Sequence, residues 1–212
     1  DGATQGIFEL AGIPYVGCGI LGSAVGMDKE VTKRLSLEAG IPVLPYMTAR
    51  RPKEALHAIA ELGLPLFVKP ARLGSSLGIS KVKVPSELSS ALREAFRYDD
   101  KIILESGIAA REIECAVLGD PWAPAGDPLE LKASLLGEIT PSSEFYDYKA
   151  KYLDPNGAKL LIPAPLAAKT AKAMCALALK AFRTLDCYAM ARVDFLMDKT
   201  NGKVYFNELN TI

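Results

Sequence analysis

Histidine and closely spaced cysteines are scarce in this sequence. Its 212 residues include one histidine, His57, and four cysteines, and no two cysteines form a C-x-x-C pair. Zinc sites and Cys-His nucleophilic pairs need these residues at suitable spacings. We therefore expect neither kind of site, and we interpret the cysteines as scattered buried thiols of a protein in the reducing cytoplasm.

An excess of one charge sign and long apolar runs are also missing. Lysine plus arginine and aspartate plus glutamate number 25 each. This balance argues against a general nucleic-acid or anionic-membrane surface. The most apolar helical stretch, "AMCALAL", is followed by Lys180 and is far shorter than the roughly 20 residues of a membrane span. We expect no nucleic-acid or membrane partner, so an anionic ligand must be bound by local groups.

What the sequence does contain is an alternation of helix-like and strand-like segments. Half of the residues are apolar, enough for one or two compact domains. Asp28 can cap a helix over 29–39, and further helices are predicted over 52–62, 86–97 and 167–185. The strand-like segments are "IPYVG", "LPLFVKP", "GISKVKV", "KIILE", "REIECAVLG" and two closing runs. This pattern predicts an α/β protein, in which the polar, tyrosine-rich residues 140–155 form a long loop.

The closing runs, "YAMARVDFLMD" and "KVYFNELN", predict a hairpin that brings two acids together. A three-residue loop over 200–202, with Gly202 in the left-handed conformation, pairs Asp194 with Glu208. A two-residue loop would instead place Asp194 opposite Leu209. We favour the first register, in which the two carboxylates face each other.

Arg192 and Asn210 complete this group, because each lies two residues from one acid and so shares its face. Two carboxylates about 4.5 Å apart repel by roughly 4 kcal/mol at an effective dielectric near 20, so a positive group is expected beside them. Carboxylate and amide oxygens suit Mg²⁺ or Mn²⁺. The alternative is that Arg192 neutralises one acid on a solvated face, and the spacing leaves both interpretations open.

A second candidate is the loop within "VKPARLGSSLGISKV". Lys69 ends a strand, and Gly74, Ser75, Ser76 and Gly78 follow with backbone N–H groups and hydroxyls that can approach an oxyanion. The segment is not a P-loop, whose lysine follows the last glycine and precedes a helix. It is either a lid over phosphates or an ordinary glycine-serine hairpin.

A third candidate is "SSEFYDYKAKY", which places Lys149 and Lys151 among Tyr146, Tyr148 and Tyr152. A loop with these cations and phenol hydroxyls can close over anionic phosphates and exclude water. A solvated surface loop is the alternative.

The stretch "GCGILG", residues 17–22, matches the G-x-G-x-x-G pattern of dinucleotide-binding proteins. Glu38 lies near the distance at which such proteins carry a ribose-binding acid. It falls late in a predicted helix, however, whereas the ribose-binding acid belongs at the end of the next strand. We therefore do not expect a dehydrogenase.

Taken together, the chain resembles the D-alanine:D-alanine ligases of the ATP-grasp superfamily along nearly its whole length. The matching stretches, in family order, are "DGATQGIFELAGIPYVG", "MDKEVTKRL", "LFVKPARLGSSLGISKV", "IILE", "REIECAVLG", "FYDYKAKY", "ARVDFLMD" and "VYFNELNTI". The resemblance implies an α/β (α+β) ATP-grasp fold, with two α/β subdomains that grip ATP after the tail of a Rossmann-like N-terminal domain. The expected parts are the tail at 1–26, the central subdomain with its glycine-rich lid at 27–104, and a truncated C-terminal subdomain at 105–212. The glycines of "GCGILG" then look like a flexible exit from the first domain.

The resemblance also implies a role for each candidate residue. The ATP-contacting positions are Lys29, Lys69 and Lys151 at the phosphates, Ser75 and Ser76 in the loop over the γ-phosphate and first substrate, Glu105 to Ile108 at adenine, and Glu112 at the ribose. Asp194, Glu208 and Asn210 match the ligands of two Mg²⁺ or Mn²⁺ ions. Arg192 matches the residue that stabilises the tetrahedral intermediate, and Tyr152 bears on the second substrate.

The activity implied by the resemblance is the ATP-dependent ligation of two D-alanines through an acyl phosphate, for peptidoglycan precursors. The expected ligands are D-alanine and ATP, and the expected assembly is a homodimer. D-Alanine is favoured over D-serine or D-lactate as acceptor, although Lys149 departs from the acid that the family often carries there. The alternatives are a related ATP-grasp ligase and a nucleotide-binding module without ligase activity.

Overall fold

A computed structural model describes residues 1–141 and 158–211, which form two β-sheets with helices packed on them. The helices are α1 (Ala3–Ala11), α2 (Ile20–Met27), α3 (Lys29–Glu38), α4 (Ala58–Leu62), α5 (Leu88–Ala95) and α6 (Ala168–Thr184). The strands are β1 (Tyr46–Ala49), β2 (Leu66–Pro70), β3 (Ser80–Val82), β4 (Ile102–Ser106), β5 (Ala110–Gly119), β6 (Lys132–Ala133), β7 (Gly137–Pro141), β8 (Ala158–Leu161), β9 (Ala189–Asp198) and β10 (Val204–Asn210). This mixture confirms the fold class expected from the sequence.

The smaller sheet has four strands in the order β1-β4-β2-β3, and all its neighbouring strands are antiparallel. Alternation along β2 buries Leu66 and Val68, because successive side chains point to opposite faces. The apolar residues of α5 recur at helical spacing and are all buried: Leu88, Ala91, Leu92 and Ala95. The helix and the sheet therefore share one apolar core.

The larger sheet runs β10-β9-β5-β7-β8, and β6 also pairs with β5. Ile113, Cys115 and Val117 alternate along β5 and are fully buried. They pack in the same core as Met174 and Phe182 of α6. The opposite strand faces are left for the polar residues of the cleft between the sheets.

Most predicted elements are found, with differences at their boundaries. The helix over 29–38 begins as expected, because the Asp28 side chain accepts hydrogen bonds from the amides of Glu30 and Val31. The helices predicted over 52–62 and 86–97 are shorter, since each begins as a 3₁₀ turn at a proline, Pro52–Ala55 and Pro85–Glu87. Among the described residues, no helix has the length and apolar character needed to cross a membrane.

The strand predicted at "IPYVG", residues 13–17, is wrong. These residues connect α1 and α2 without joining a sheet. Tyr15 is instead tied to α1, because its hydroxyl donates to Glu9 over 2.8 Å and its ring lies 5.6 Å from that of Phe8. A short apolar run lacks the periodicity that would distinguish a strand from such a connection. The short strands β1, β6, β7 and β8 were not predicted, because two to five residues are too few to show a clear alternation.

The glycines of "GCGILG" serve close packing. A Cβ added to Gly22 would lie 2.5 Å from the Asp186 carbonyl oxygen, and Gly17 adopts a left-handed φ of 124°. Cys18 is fully buried in the core of the larger sheet. Gly17, Cys18 and Gly22 are therefore packed against the C-terminal part of the chain, whereas Ile20 and Leu21 are exposed. The flexible exit and the domain boundaries near 26 and 104 stay predictions.

Replacing Gly22 with alanine should destabilise the fold by about 1–3 kcal/mol. Alanine stabilises a helix by about 1 kcal/mol relative to glycine, so the clash with the Asp186 backbone must outweigh that gain. Gly19→Ala is the matched control, since its added Cβ would have no atom within 4 Å and its φ is −67°. Urea unfolding of both variants tests this, and equal stabilities would contradict the assigned packing.

Candidate active site

A cleft of about 570 Å³ lies between the two sheets. It is lined by nine of the predicted site residues: Lys29, Lys69, Ser76, Glu105, Ile108, Glu112, Arg192, Asp194 and Glu208. Asn210 lies beside it, hydrogen-bonded to Asp194. Ser75 belongs to the adjoining glycine-rich loop, whereas Lys151 and Tyr152 lie outside the described residues.

The hairpin of β9 and β10 places Glu208 opposite Asp194 and Asn210 opposite Arg192, which confirms the favoured register. The predicted three-residue loop is wrong, however. The Asp198 amide donates to the Lys203 carbonyl over 2.8 Å, which leaves the four residues 199–202 in the loop. Gly202 takes the expected left-handed φ, 70°.

A β-bulge reconciles the longer loop with the confirmed register. Phe206 pairs with Phe195, but the next paired residue, Glu208, lies opposite Asp194. Asn207 is therefore an extra residue on β10, and it shifts the pairing by one position. Without this bulge the loop would place Asn207, and not a carboxylate, opposite Asp194.

Three carboxylates meet across neighbouring strands at this point, because Glu114 on β5 also pairs with Asp194. Arg192 Nε and Nη2 donate to the two Asp194 oxygens over 2.7 and 2.8 Å, and Nε lies 3.3 Å from Glu114 Oε1. Asn210 Nδ2 donates to Asp194 Oδ2 over 2.9 Å. Arg192 thus pairs with Asp194, but the Asp194 side chain is only 13% exposed, so the face is not the solvated one of that interpretation.

No metal-binding group of three acids, histidines or cysteines occurs among residues 1–141 and 158–211. The electrostatics nevertheless leave the acids short of positive charge. Burial is the main cause that raises the pKa of Asp194 to about 7. Glu208 and Glu114 add to this rise, and Arg192 opposes it. A cation at this position would stabilise the ionised carboxylate. The metal site stays a prediction.

Lys29 connects the glycine-rich segment to the acids. Its Nζ donates to the Leu73 carbonyl over 2.7 Å and lies 3.5 Å from Glu208 Oε2. Asp28, which caps α3 just before it, accepts hydrogen bonds from Lys101 Nζ over 2.6 and 2.7 Å. The N-terminus of α3 is therefore fixed to the smaller sheet, and this fixes the position of Lys29.

Lys69 and Glu105 pair across strands β2 and β4, where a third residue joins them. Glu105 Oε2 accepts a hydrogen bond from Lys69 Nζ, and Oε1 lies 2.5 Å from Lys33 Nζ. Lys33 was missed by sequence reasoning. Its spacing could have indicated it, because it lies four residues after Lys29 and so on the same side of α3.

The glycine-rich loop contains unusual backbone. Ser75 and Ser76 both have a φ of 57°, a left-handed conformation that is uncommon for residues other than glycine. Gly78 has a φ of 68°, and a Cβ there would lie 2.6 Å from the Tyr98 ring. The path of the loop therefore depends on left-handed backbone at Ser75, Ser76 and Gly78.

Further cleft residues were not singled out from the sequence. Arg111 makes two parallel 2.7 Å hydrogen bonds to Glu138 on the neighbouring strand β7. Lys69 and Lys81 lie 5.8 and 5.9 Å from the centre of the Phe67 ring. The pairs Arg111–Glu138 and Phe67–Lys81 join different strands and depend on a register that the sequence pattern alone does not reveal. Phe67 and Lys69 are neighbours on one face of β2, because they lie two residues apart.

Comparison with known proteins identifies relatives of the whole chain. A family model described as "D-ala D-ala ligase C-terminus" matches residues 35–212. The D-alanine–D-alanine ligase of Thermoanaerobacter sp. strain X514 is 50% identical over all of this chain and 58% of its own length. D-alanine–D-alanine ligase A of Chromobacterium violaceum is 49% identical over all of this chain and 57% of its length.

Solved structures give the same result for the fold. The VanG D-Ala:D-Ser ligase from Enterococcus faecalis has a TM-score of 0.86 and 41% identity, over all of this chain and 60% of its own. The D-alanine-D-alanine ligase from Coxiella burnetii has a TM-score of 0.83 and 39% identity, over 100% and 55%. The chain thus spans less than two thirds of the length of these relatives.

Proposed function

Since this chain belongs to the D-alanine–D-alanine ligase family and has the ATP-grasp fold of that family, we propose that its cleft binds ATP and helps to join two D-alanines. The observation that carries this proposal is the convergence of lysines and acids in one cleft between two sheets. Lys29 and Lys69 supply positive charge there, while Asp194 and Glu208 supply hard oxygen ligands. This combination suits the phosphates of a metal-bound nucleotide.

Different residues of the proposed ATP site would contact the phosphates and the nucleoside. Lys29 and Lys69 would contact the phosphates, together with Lys151, and Ser75 and Ser76 would cover the γ-phosphate. The segment from Glu105 to Ile108 would contact adenine, and Glu112 the ribose hydroxyls, as the family resemblance implies; Glu105, Ile108 and Glu112 line the same cleft.

The acids fit the divalent cations that the family uses. Their donor set is carboxylate and amide oxygen. Burial is the main cause of the raised pKa of Asp194, and the negative charges of Glu208 and Glu114 add to it. We propose that Asp194, Glu208 and Asn210 hold two Mg²⁺ or Mn²⁺ ions, which would offset the negative charge of the phosphates. Arg192 would then be shared with Glu114, which already lies 3.3 Å from it.

The proposed reaction has two steps. The carboxylate of the first D-alanine attacks the γ-phosphorus of ATP, so that an acyl phosphate forms and ADP leaves. The amine of the second D-alanine then attacks the acyl carbon, a proton is lost from nitrogen, and inorganic phosphate leaves. Arg192 would stabilise the oxyanion that develops in this second step.

D-Serine is the alternative acceptor, because a structure that covers this whole chain at 41% identity is a D-Ala:D-Ser ligase. Tyr152, which bears on this choice, lies outside the described residues. The more similar relatives at 50% and 49% identity are D-alanine–D-alanine ligases, which favours D-alanine. We also propose a cytoplasmic homodimer, on the resemblance to the family alone.

The proposal predicts phosphate release that depends on D-alanine. The protein is incubated with ATP and Mg²⁺ and with D-alanine, D-serine, D-lactate or L-alanine. Phosphate release should require D-alanine, and mass spectrometry should identify D-alanyl-D-alanine. A mixed product with D-serine would support the alternative acceptor, whereas ATP binding without release under any substrate would indicate a nucleotide-binding module.

A further inference from the structure

Three charged side chains form a continuous row from the protein interior to the cleft. Lys33 on α3 is 2% exposed, and its Nζ lies 2.5 Å from Oε1 of Glu105, which is also 2% exposed. Glu105 Oε2 accepts a hydrogen bond from Lys69 Nζ. Lys69 is 13% exposed and lines the cleft. We call these three residues the buried triad.

The charges of the buried triad do not cancel. Burial alone would raise the pKa of Glu105, but Lys33 and Lys69 outweigh it and lower that pKa to about 2, so the carboxylate is ionised at neutral pH. Burial opposes the charge of Lys69 as well, yet Glu105 and the cleft acids raise its pKa. Burial lowers the pKa of Lys33, and the attraction of Glu105 opposes this. With both ammonium groups protonated around one carboxylate, the triad carries one net positive charge, and the end that reaches the cleft is Lys69.

Lys33 has no direct access to a ligand. Of the described residues, Glu105 is the one that forms an ion pair with it, and the Tyr46 ring lies 6.0 Å from its Nζ. Without Lys33, Glu105 and Lys69 would form a neutral pair, and the carboxylate would repel any anion that approached Lys69. The effect of Lys33 on the cleft therefore acts through Glu105.

We propose that Lys33 is a positioning residue for nucleotide binding, which neutralises Glu105 and thereby leaves the positive charge of Lys69 available to the phosphates. This inference rests on the proposed ATP site, although it assigns a role to a residue outside that site. Glu105 then balances the charge of Lys33, in addition to any contact with adenine. The ligand class that this charge selects is an oligophosphate.

The test compares wild type, Lys33→Met and the double variant Lys33→Met/Glu105→Gln by calorimetric titration with ATP and with adenosine. Lys33→Met should weaken ATP binding by about ten-fold or more, because one charge is lost next to a polyanion. Adenosine binding should change by less than about two-fold, because adenosine lacks phosphates. In the double variant the ratio of ATP affinity to adenosine affinity should return to within about three-fold of the wild-type ratio, since its net charge is again that of Lys69 alone. The ratio cancels any loss of the Glu105 contact with adenine, because both ligands carry that base.

Three outcomes of these titrations would contradict the inference about Lys33. Equal losses for ATP and adenosine would indicate a merely structural role. A double variant whose ratio of ATP affinity to adenosine affinity is no higher than that of Lys33→Met would exclude charge balance. If Lys33→Met does not fold, the double variant decides alone, and a selective ten-fold loss of ATP affinity in it overturns the proposal. Wild-type ATP binding without ligation would refute the proposed function while leaving the triad result valid.

Discussion

Arg192→Ala should reduce the ligation rate by about 10²–10³-fold, while ATP affinity stays within about three-fold of wild type. The reason is that the guanidinium is proposed to meet an oxyanion that exists only after ATP has reacted. Single-turnover formation of D-alanyl-D-alanine, together with calorimetric titration of ATP, measures the two quantities separately. Equal losses in both would place Arg192 in nucleotide binding.

The control for this prediction is Arg192→Lys, because Arg192 also offsets the acids around it. Its pKa is raised by the hydrogen bond to Asp194, and Glu114 and Glu208 contribute to the same field. Lysine keeps the charge but loses the paired donors that contact both Asp194 oxygens. A lysine variant with the full wild-type rate would show that charge alone suffices, and that the donor geometry has no part in stabilising the intermediate.

Glu105→Leu should lower the free energy of unfolding by about 3–5 kcal/mol, because it leaves the buried ammonium of Lys33 without its counter-ion. Burial already lowers the pKa of Lys33, and Glu105 is the main group that opposes this. Urea unfolding without nucleotide measures the change, so ligand binding does not contribute to it.

Lys33→Met/Glu105→Leu should recover most of this loss, since apolar side chains of similar size replace the whole buried pair. Glu94→Leu serves as the surface control. Glu94 pairs with Arg97 over 3.0 Å at exposed positions, so its replacement should cost less than about 1 kcal/mol. A double variant as unstable as Glu105→Leu would show that the destabilisation arises from the shape of the site, and not from an unpaired charge.

The elements whose signal is local could be predicted from the sequence. Asp28 precedes a helix with a side chain that accepts from its first amides, and the apolar spacing of α5 corresponds to its buried face. The strand at 13–17 failed because a short apolar run carries no information about what it packs against. In this chain it is held by α1 through Tyr15, and not by a neighbouring strand.

The candidate site was predictable where motif and strand period sufficed. Asp194 and Glu208 were placed opposite each other, but the loop length used for that inference was wrong and Asn207 compensated for it. The spacing of Lys33 after Lys29 places it on the same side of α3, but its ion pair with Glu105 could not be predicted, because Glu105 lies on a distant strand. A long-range ion pair produces no recognisable pattern in the sequence. A residue such as Lys69 can be recognised, because it ends a predicted strand just before a glycine-rich loop.

The bulge at Asn207 separates the end of the hairpin from its functional part. Residues 200–202 are exposed, and the pairing on the far side of the bulge is supported by β5 along the whole length of β9. Strand register near the acids therefore does not have to follow changes in the length of this loop. The tip of the hairpin is consequently a suitable position to insert a short peptide, such as a fluorophore-binding tag, without displacing the carboxylates.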